Sequence, residues 1–293
     1  MSNLINIIGC GYIGKKIADL LKVTDSPCHC FVKSETSKKE CLTLGYPVTQ
    51  FNLDKEALAL NKSLLNKFEK STIAYLAPPQ RNGLTDERMA HFISALEKVN
   101  AVPYKIILIS TTGVYGNCNG DWIDESREAQ PQAERAFRRL NAEKQLIKYC
   151  ENNNVQFIVF RVPGIYASDK LPVKRITSGE PIVSAVDSGY TNRIHAEDLS
   201  ALCVEALLEN VDSGIYNCCD GQPSTMNDYF TRVADALSYP RPEEISLLQA
   251  RQQLSEGMLS YLAESKRISN KKLLSHFKTK LKYPDLTSGL KSL

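Results

Sequence analysis

The sequence lacks any run of about 18 apolar residues, so no helix is expected to cross a membrane. It lacks a basic leader. The opening MSNLINIIGCGYIG is broken by glycines and reads as a first strand, not a secretory signal. C-x-x-C pairs and Cys/His metal spacings are absent, so no metal site is expected. The nine cysteines, Cys28, Cys30, Cys218 and Cys219 among them, are odd in number in a long chain. They are expected to be reduced thiols of a cytoplasmic protein, mostly small core residues. Cys10 is either a reactive thiol or one more passive residue. A net charge of only +3 does not point to nucleic acid. The one basic stretch, KRISNKKLLSHFKTKLK, has no interleaved aromatic platforms and reads as a solvated helix face. No internal repeat or low-complexity segment is visible.

What the chain does have is 293 residues, 43% of them hydrophobic, enough for one large domain or a large one with a small lobe. Short apolar runs alternate with helical patterns, which predicts a parallel sheet covered on both faces. The predicted strands are Leu4–Ile8, His29–Val32, Val48–Phe51, Thr72–Leu76, Lys105–Ile109, Gln156–Phe160 and Ile215–Asn217. One helix is predicted after Gly11. A second begins at Ser37 with Glu40 at capping-box spacing. A third runs from about Leu84 to Val99. A fourth has Pro131 in its first turn and ends near Cys150. A fifth covers about Ala196–Glu209. Beyond residue 221 helices and loops follow, starting at STMND, whose Ser or Thr can cap. The expected organisation is a nucleotide-binding domain of residues 1–160 plus about 191–220. A smaller lobe of about 161–190 plus 221–293 accompanies it.

Gly9-Cys10-Gly11-Tyr12-Ile13-Gly14 is G-x-G-x-x-G, after the strand INII and at the opening of a helix. Gly9 permits the tight turn, Gly11 lets backbone approach a pyrophosphate, and Gly14 allows close helix–strand packing. Amide groups at the helix start face the phosphates. The predicted ligand is a nicotinamide dinucleotide. At the end of the second strand, Lys33 and Ser34 precede Glu35. A basic residue there favours a 2′-phosphate, so NADP is preferred and NAD stays possible. Asn52 and Leu53 fall at the adenine edge. Ala77 and Pro78 fall at the next strand end, where backbone can line the cofactor.

The glycine loop, STTGVYG (110–116), RVPGIYA (161–167), RIHAEDL (193–199) and YNCCDGQP (216–223) resemble the extended short-chain dehydrogenase/reductases. These are also called the NAD-dependent epimerase/dehydratase family. The motifs come in the right order over nearly the whole chain. STTGVYGNCNGDWIDES and SKRISN…YPDLTSGL look closest to the atypical YeeZ-like branch. The resemblance implies a Rossmann-type doubly wound parallel sheet with a smaller C-terminal substrate lobe. It implies that Thr111, with Thr112 next, grips a substrate oxygen; otherwise these threonines only cap the strand. A homodimer through helices flanking the sheet would suit such folds.

Family members carry Y-x-x-x-K in the helix after this strand, the tyrosine as acid and the lysine as its modulator and ribose ligand. Here the helix reads ERAFRRLNAEKQL. One alignment frame puts Arg135 at the tyrosine position and Arg139 at the lysine position; the other puts Leu140 at the former. Neither supplies a phenol. Arginine stays protonated and is a poor proton shuttle, but it clamps carboxylates and phosphates. Tyr115, near the nicotinamide, and Tyr166 and His195, in family loops, are substitute candidates. The alternatives are a packed aromatic for Tyr115 and a structural hydrogen bond, to Asp198, for His195. Arg135, Arg138 and Arg139 can be surface partners of Glu134 or Glu143, or a clamp for an anion. Lys266 and Arg267 pose the same choice on the lobe side. Two functions follow: an NAD(P)-dependent oxidoreductase or epimerase-like enzyme on a small polar or nucleotide-linked substrate, or a non-catalytic NAD(P)-binding sensor or interaction protein.

Overall fold

A computed structural model describes residues 4–55 and 66–291. Seven parallel strands form the central sheet: β1 (Ile5–Ile8), β2 (Cys28–Val32), β3 (Val48–Gln50), β4 (Thr72–Tyr75), β5 (Lys105–Thr111), β6 (Gln156–Val162) and β7 (Gly214–Asn217). Their order is β7-β6-β5-β4-β1-β2-β3. All seven predicted strands are present. The chain leaves β1 toward one edge and returns at β4 to build the other half. The switch point therefore lies between β1 and β4, where crevices outside the carboxyl ends of strands take ligands.

Alternation along each strand sends side chains to opposite faces. Ile7, Ile107 and Ile158 meet Ile17 and Leu21 of α1 (Tyr12–Val23) and α2 (Glu35–Thr43) contributes Cys41. The same face is covered by Leu199, Leu202 and Cys203 of a later helix, Ala196–Leu208. Ile8, Ile73, Ile106 and Leu108 meet Met89, Phe92 and Leu96 of α3 (Glu87–Lys98) and Ala142 and Leu146 of α4 (Glu134–Asn153). Both faces are thus closed, which is why the strands read as continuous apolar runs.

Helix starts depart from the sequence reading. Ser34, not Ser37, caps α2 by accepting from the Ser37 amide, and Glu40 pairs instead with Lys15. The helix expected from about Leu84 starts at Glu87, capped by Asp86 through the Met89 amide. Pro131 precedes α4, whose N-cap is Ala133. The first two caps are local side-chain bonds, while α4 starts with no side-chain cap.

A separate core joins Tyr166, Ile176, Ile182, Phe230, Val233, Leu286 and Leu290. The helix Met226–Ala236 in it is capped by Thr225 of STMND. Leu273 and Phe277 instead pack into the core on the first sheet face. The helix Lys271–His276 in the basic stretch exposes one side, while Lys272 donates to the Ile215 carbonyl. All nine cysteines are free, and Cys28 alone among them is not buried. Among the described residues no helix is long and apolar enough to cross a membrane. None of their His, Cys, Asp or Glu side chains group to hold a metal ion.

Candidate nucleotide and substrate site

The turn after β1 is dictated by space. Gly9 has φ +88°, and a Cβ there would lie 2.6 Å from the Ala77 amide nitrogen at the end of β4. Only glycine fits, because the β1 and β4 ends nearly touch. Gly14 packs closely but less tightly, with a Cβ position 3.2 Å from the Gly9 carbonyl oxygen and 3.3 Å from Ile7. Gly11 differs: its nearest neighbour is 4.0 Å away, so its missing side chain leaves open room outside the protein's own packing. No side chain caps α1 and no acid occupies its first turn. The partial positive charge of the helix start is therefore unanswered by the protein. Cys10 of this loop is buried, and Tyr12 donates to Asp169.

At the outer end of β2, Lys33 is held by Asp54, which also accepts from Arg88 of α3. The hydrogen bonds from Arg88 and Lys33 hold the Asp54 carboxyl low, at about 2. Ser34 spends its hydroxyl on capping α2. Asn52 accepts from the Asp54 amide, and Leu53 is buried beside Phe51. Asp54 and Arg88 were not singled out in the sequence. Asp54 directly follows Asn52 and Leu53, but Arg88 reaches it across 34 residues, a separation no local pattern reports.

A cavity of about 300 Å³ opens at the ends of β4, β5 and β6. Its sheet-side wall carries Pro79, Thr111, Thr112 and Gly113; its helix wall carries Arg135 and Arg139, four residues apart on α4. Thr111 Oγ1 accepts from the Gly113 amide at 3.2 Å, so the hydroxyl proton stays available for a ligand oxygen. Arg135 donates to Ser260 Oγ at 2.9 Å and lies 4.3 Å over the Tyr261 ring. Arg139 donates to the Ala77 carbonyl at 3.1 Å, and burial pulls its pKa down. Neither arginine has a carboxylate within ion-pair distance among the described residues. Arg138, by contrast, points away to the Gly83 carbonyl and Glu134, the ordinary salt-bridge fate.

The remaining wall comes from Pro163 and Gly164 of RVPGIYA, Tyr190 to Asn192, Tyr261, Glu264 and Lys266. Lys266 is buried, bound to Glu264 and donating to the Gly116 carbonyl. Glu264, Tyr190 and Tyr261 had no signal in the sequence; they converge only through the return of the chain after residue 180.

Four predicted residues lie outside this wall. Tyr115 is buried beneath it, donating to Asn217 Oδ1 at 2.8 Å, and burial lifts its phenol to about 12. The expectation that it approaches the reacting centre is not met, because Arg161 stacks on its ring and holds it in the core. Tyr166 fills the lobe core and donates to the Asp285 carbonyl. His195 caps the helix Ala196–Leu208 by accepting from the Glu197 amide, not by bonding Asp198; burial lowers its pKa. Arg267 donates to the Gly120 carbonyl and stacks on Tyr190 and Trp122. Behind the cavity, Ser110 donates to Glu143, and Glu143 pairs with Arg161 at 2.8 Å, both deeply buried.

Sheet order and glycine turn define a Rossmann-like α/β fold, with a cavity at the ends of β4, β5 and β6, on one side of the switch point. Among solved structures, a functionally unknown conserved protein from Silicibacter pomeroyi is similar over 99% of this chain and 98% of its own, with TM-score 0.84 and 22% identity. A putative NAD-dependent epimerase/dehydratase from Methylobacillus flagellatus matches over 100% and 98%, with TM-score 0.75 and 22% identity. The Thermus thermophilus UDP-glucose 4-epimerase in complex with NAD matches over 98% and 96%, with TM-score 0.73 and 18% identity. The fold is therefore that of the epimerase/dehydratase structures. No family model and no curated protein matches the chain by sequence.

Proposed function

We propose that the protein is an NAD(P)-dependent oxidoreductase or epimerase/dehydratase-like enzyme of the extended short-chain dehydrogenase/reductase type. The observation that carries this reading is the placement of an uncapped, glycine-opened helix beside a cavity that holds Thr111. A dinucleotide laid over Gly11 puts its diphosphate on the α1 amides and runs past Ala77 toward that cavity. Hydride transfer is the cofactor's chemistry, and the protein supplies position. Thr111 donates to the substrate oxygen. Arg139, in place of the usual lysine, donates to the ribose hydroxyls. Arg135 brings positive charge where a phenol normally sits, without a proton to give. Tyr190 and Tyr261 are the phenols lining the cavity, and proton transfer falls to one of them. With a panel of carbonyl compounds and NADPH or NADH, turnover is expected, and Thr111→Ala should lower kcat/KM about 100-fold. Tight cofactor binding with no turnover across the panel would favour the second reading, a non-catalytic sensor, which the missing Y-x-x-x-K supports.

The cofactor reading favours NADP. Lys33 and Arg88 converge on one carboxylate, and a 2′-phosphate arriving there would compete with Asp54 for both cations. In fluorescence titrations Asp54→Asn should raise the NADPH-to-NADH affinity ratio about tenfold, by freeing the two cations. Lys33→Ala should narrow it. Unchanged ratios in both variants would count against a 2′-phosphate site and leave Asp54 as a partner for a plain ribose.

A further inference from the structure

We infer that the substrate of this cavity carries a carboxylate or phosphate at its reacting end and that Arg135 grips it. The inference rests on the dinucleotide-linked reading of the cavity and narrows it to a substrate class. Three cationic side chains line the space, Arg135, Arg139 and Lys266, against a single carboxylate, Glu264. That carboxylate is already spent on Lys266. The two arginines hydrogen-bond or stack on neutral groups, a hydroxyl and an aromatic face for Arg135 and a backbone carbonyl for Arg139, and Arg139 also feels nearby carboxylates, Asp86 and Glu143.

A guanidinium withdrawn from water loses hydration that a neutral acceptor replaces only in part. An anion restores it, and a planar fork suits the two oxygens of a carboxylate or phosphate. Arg139 is occupied by backbone and faces the cofactor side through Ala77. Arg135 uses one of its five N–H donors on Ser260 and keeps the others for a ligand. The Thr111 hydroxyl lines the same cavity from the sheet side. The pairing places the charged group of the substrate next to the oxygen that reacts, as in a keto or hydroxy acid or its phosphorylated counterpart. Loss of the phenol from α4 then has a reason: the position was turned from proton donor to anchor.

Calorimetric titration of the full chain with malonate and, separately, inorganic phosphate tests this, with and without saturating NADPH. At least one anion should bind, and Arg135→Ala should weaken it about 10- to 100-fold. Arg135→Lys, which keeps the charge and loses the fork, should recover part of that loss. Arg241→Ala, at a surface pair with Asp235, should bind as the wild type does. Tighter malonate assigns a carboxylate substrate, and tighter phosphate assigns a phosphorylated one. Equal affinities in wild type and Arg135→Ala, or no binding of either anion at tens of millimolar, would overturn the inference. NADPH titrated alone separates the two levels. If NADPH binds and the anions do not, only the substrate class fails. If NADPH does not bind, the dinucleotide reading fails, and the anion titrations still decide the role of Arg135.

Discussion

Replacing Gly11 by alanine should leave the protein folded and weaken dinucleotide binding by about 100-fold or more. The two halves of this expectation come from different features of one residue. Nothing in the protein lies closer than 4.0 Å to the new Cβ, and Gly11 has a negative φ, −88°, although its ψ of −143° falls outside the broad extended region. Alanine is also a poorer N-cap than glycine, so a stability cost of about 1–3 kcal/mol is expected, short of unfolding. The methyl group instead occupies the space through which a diphosphate reaches the helix amides, and each lost charge-assisted hydrogen bond costs about 1.5–3 kcal/mol. Gly9→Ala is the contrasting case. Its positive φ and the 2.6 Å approach to Ala77 should prevent normal folding altogether. Thermal melts beside NADPH titrations distinguish the two. A Gly11→Ala protein that binds as tightly as the wild type would mean that the diphosphate lies elsewhere.

Glu143→Ala should cost about 3–5 kcal/mol of stability, read as a lower urea midpoint at unchanged slope. Glu143 and Arg161 are a buried pair, and the carboxylate also accepts from Ser110. Removing the acid strands a guanidinium inside the protein. The comparison is Glu134→Ala, which removes the exposed partner of Arg138 and should cost less than about 1 kcal/mol. Because Ser110 adjoins Thr111, the loss should also loosen the β5 end, and cofactor-dependent turnover should fall beyond the stability effect. A Glu143→Ala midpoint equal to that of Glu134→Ala would show that the buried pair contributes no more than a surface one.

The sheet was legible because both of its faces are covered. Continuous apolar strands such as KIILIS stand out, and the seven predicted strands match those of the sheet. The glycine loop was legible because Gly9 has a positive φ and no room for a side chain beside Ala77, and Gly14 has little, so the spacing of glycines shows in the sequence itself. Helix starts were less so, since Ser34 and Ser37 are both competent caps for α2, and only Ser34 serves as one. The cavity was half legible. Thr111, Arg135 and Arg139 come from a strand end and one helix, where helical spacing lets two of Arg135, Arg138 and Arg139 share a face without saying which two; Lys266 was also named. Glu264, Tyr190 and Tyr261 reach the same space only through the return of the chain. Tyr115, Tyr166 and His195 misled because a motif gives chain position, while burial decides where a side chain points. Glu143 and Arg161, 18 residues apart on different elements, leave no local trace of their pairing.

The account rests on the diphosphate lying against the first turn of α1. The direct measurement is a crystal structure of the protein soaked with NADPH or NADH. Diphosphate oxygens should be found about 3 Å from the amide nitrogens that follow Gly11, with the nicotinamide directed toward Thr111. A dinucleotide bound away from Gly11, or an unoccupied turn at millimolar cofactor, would contradict it.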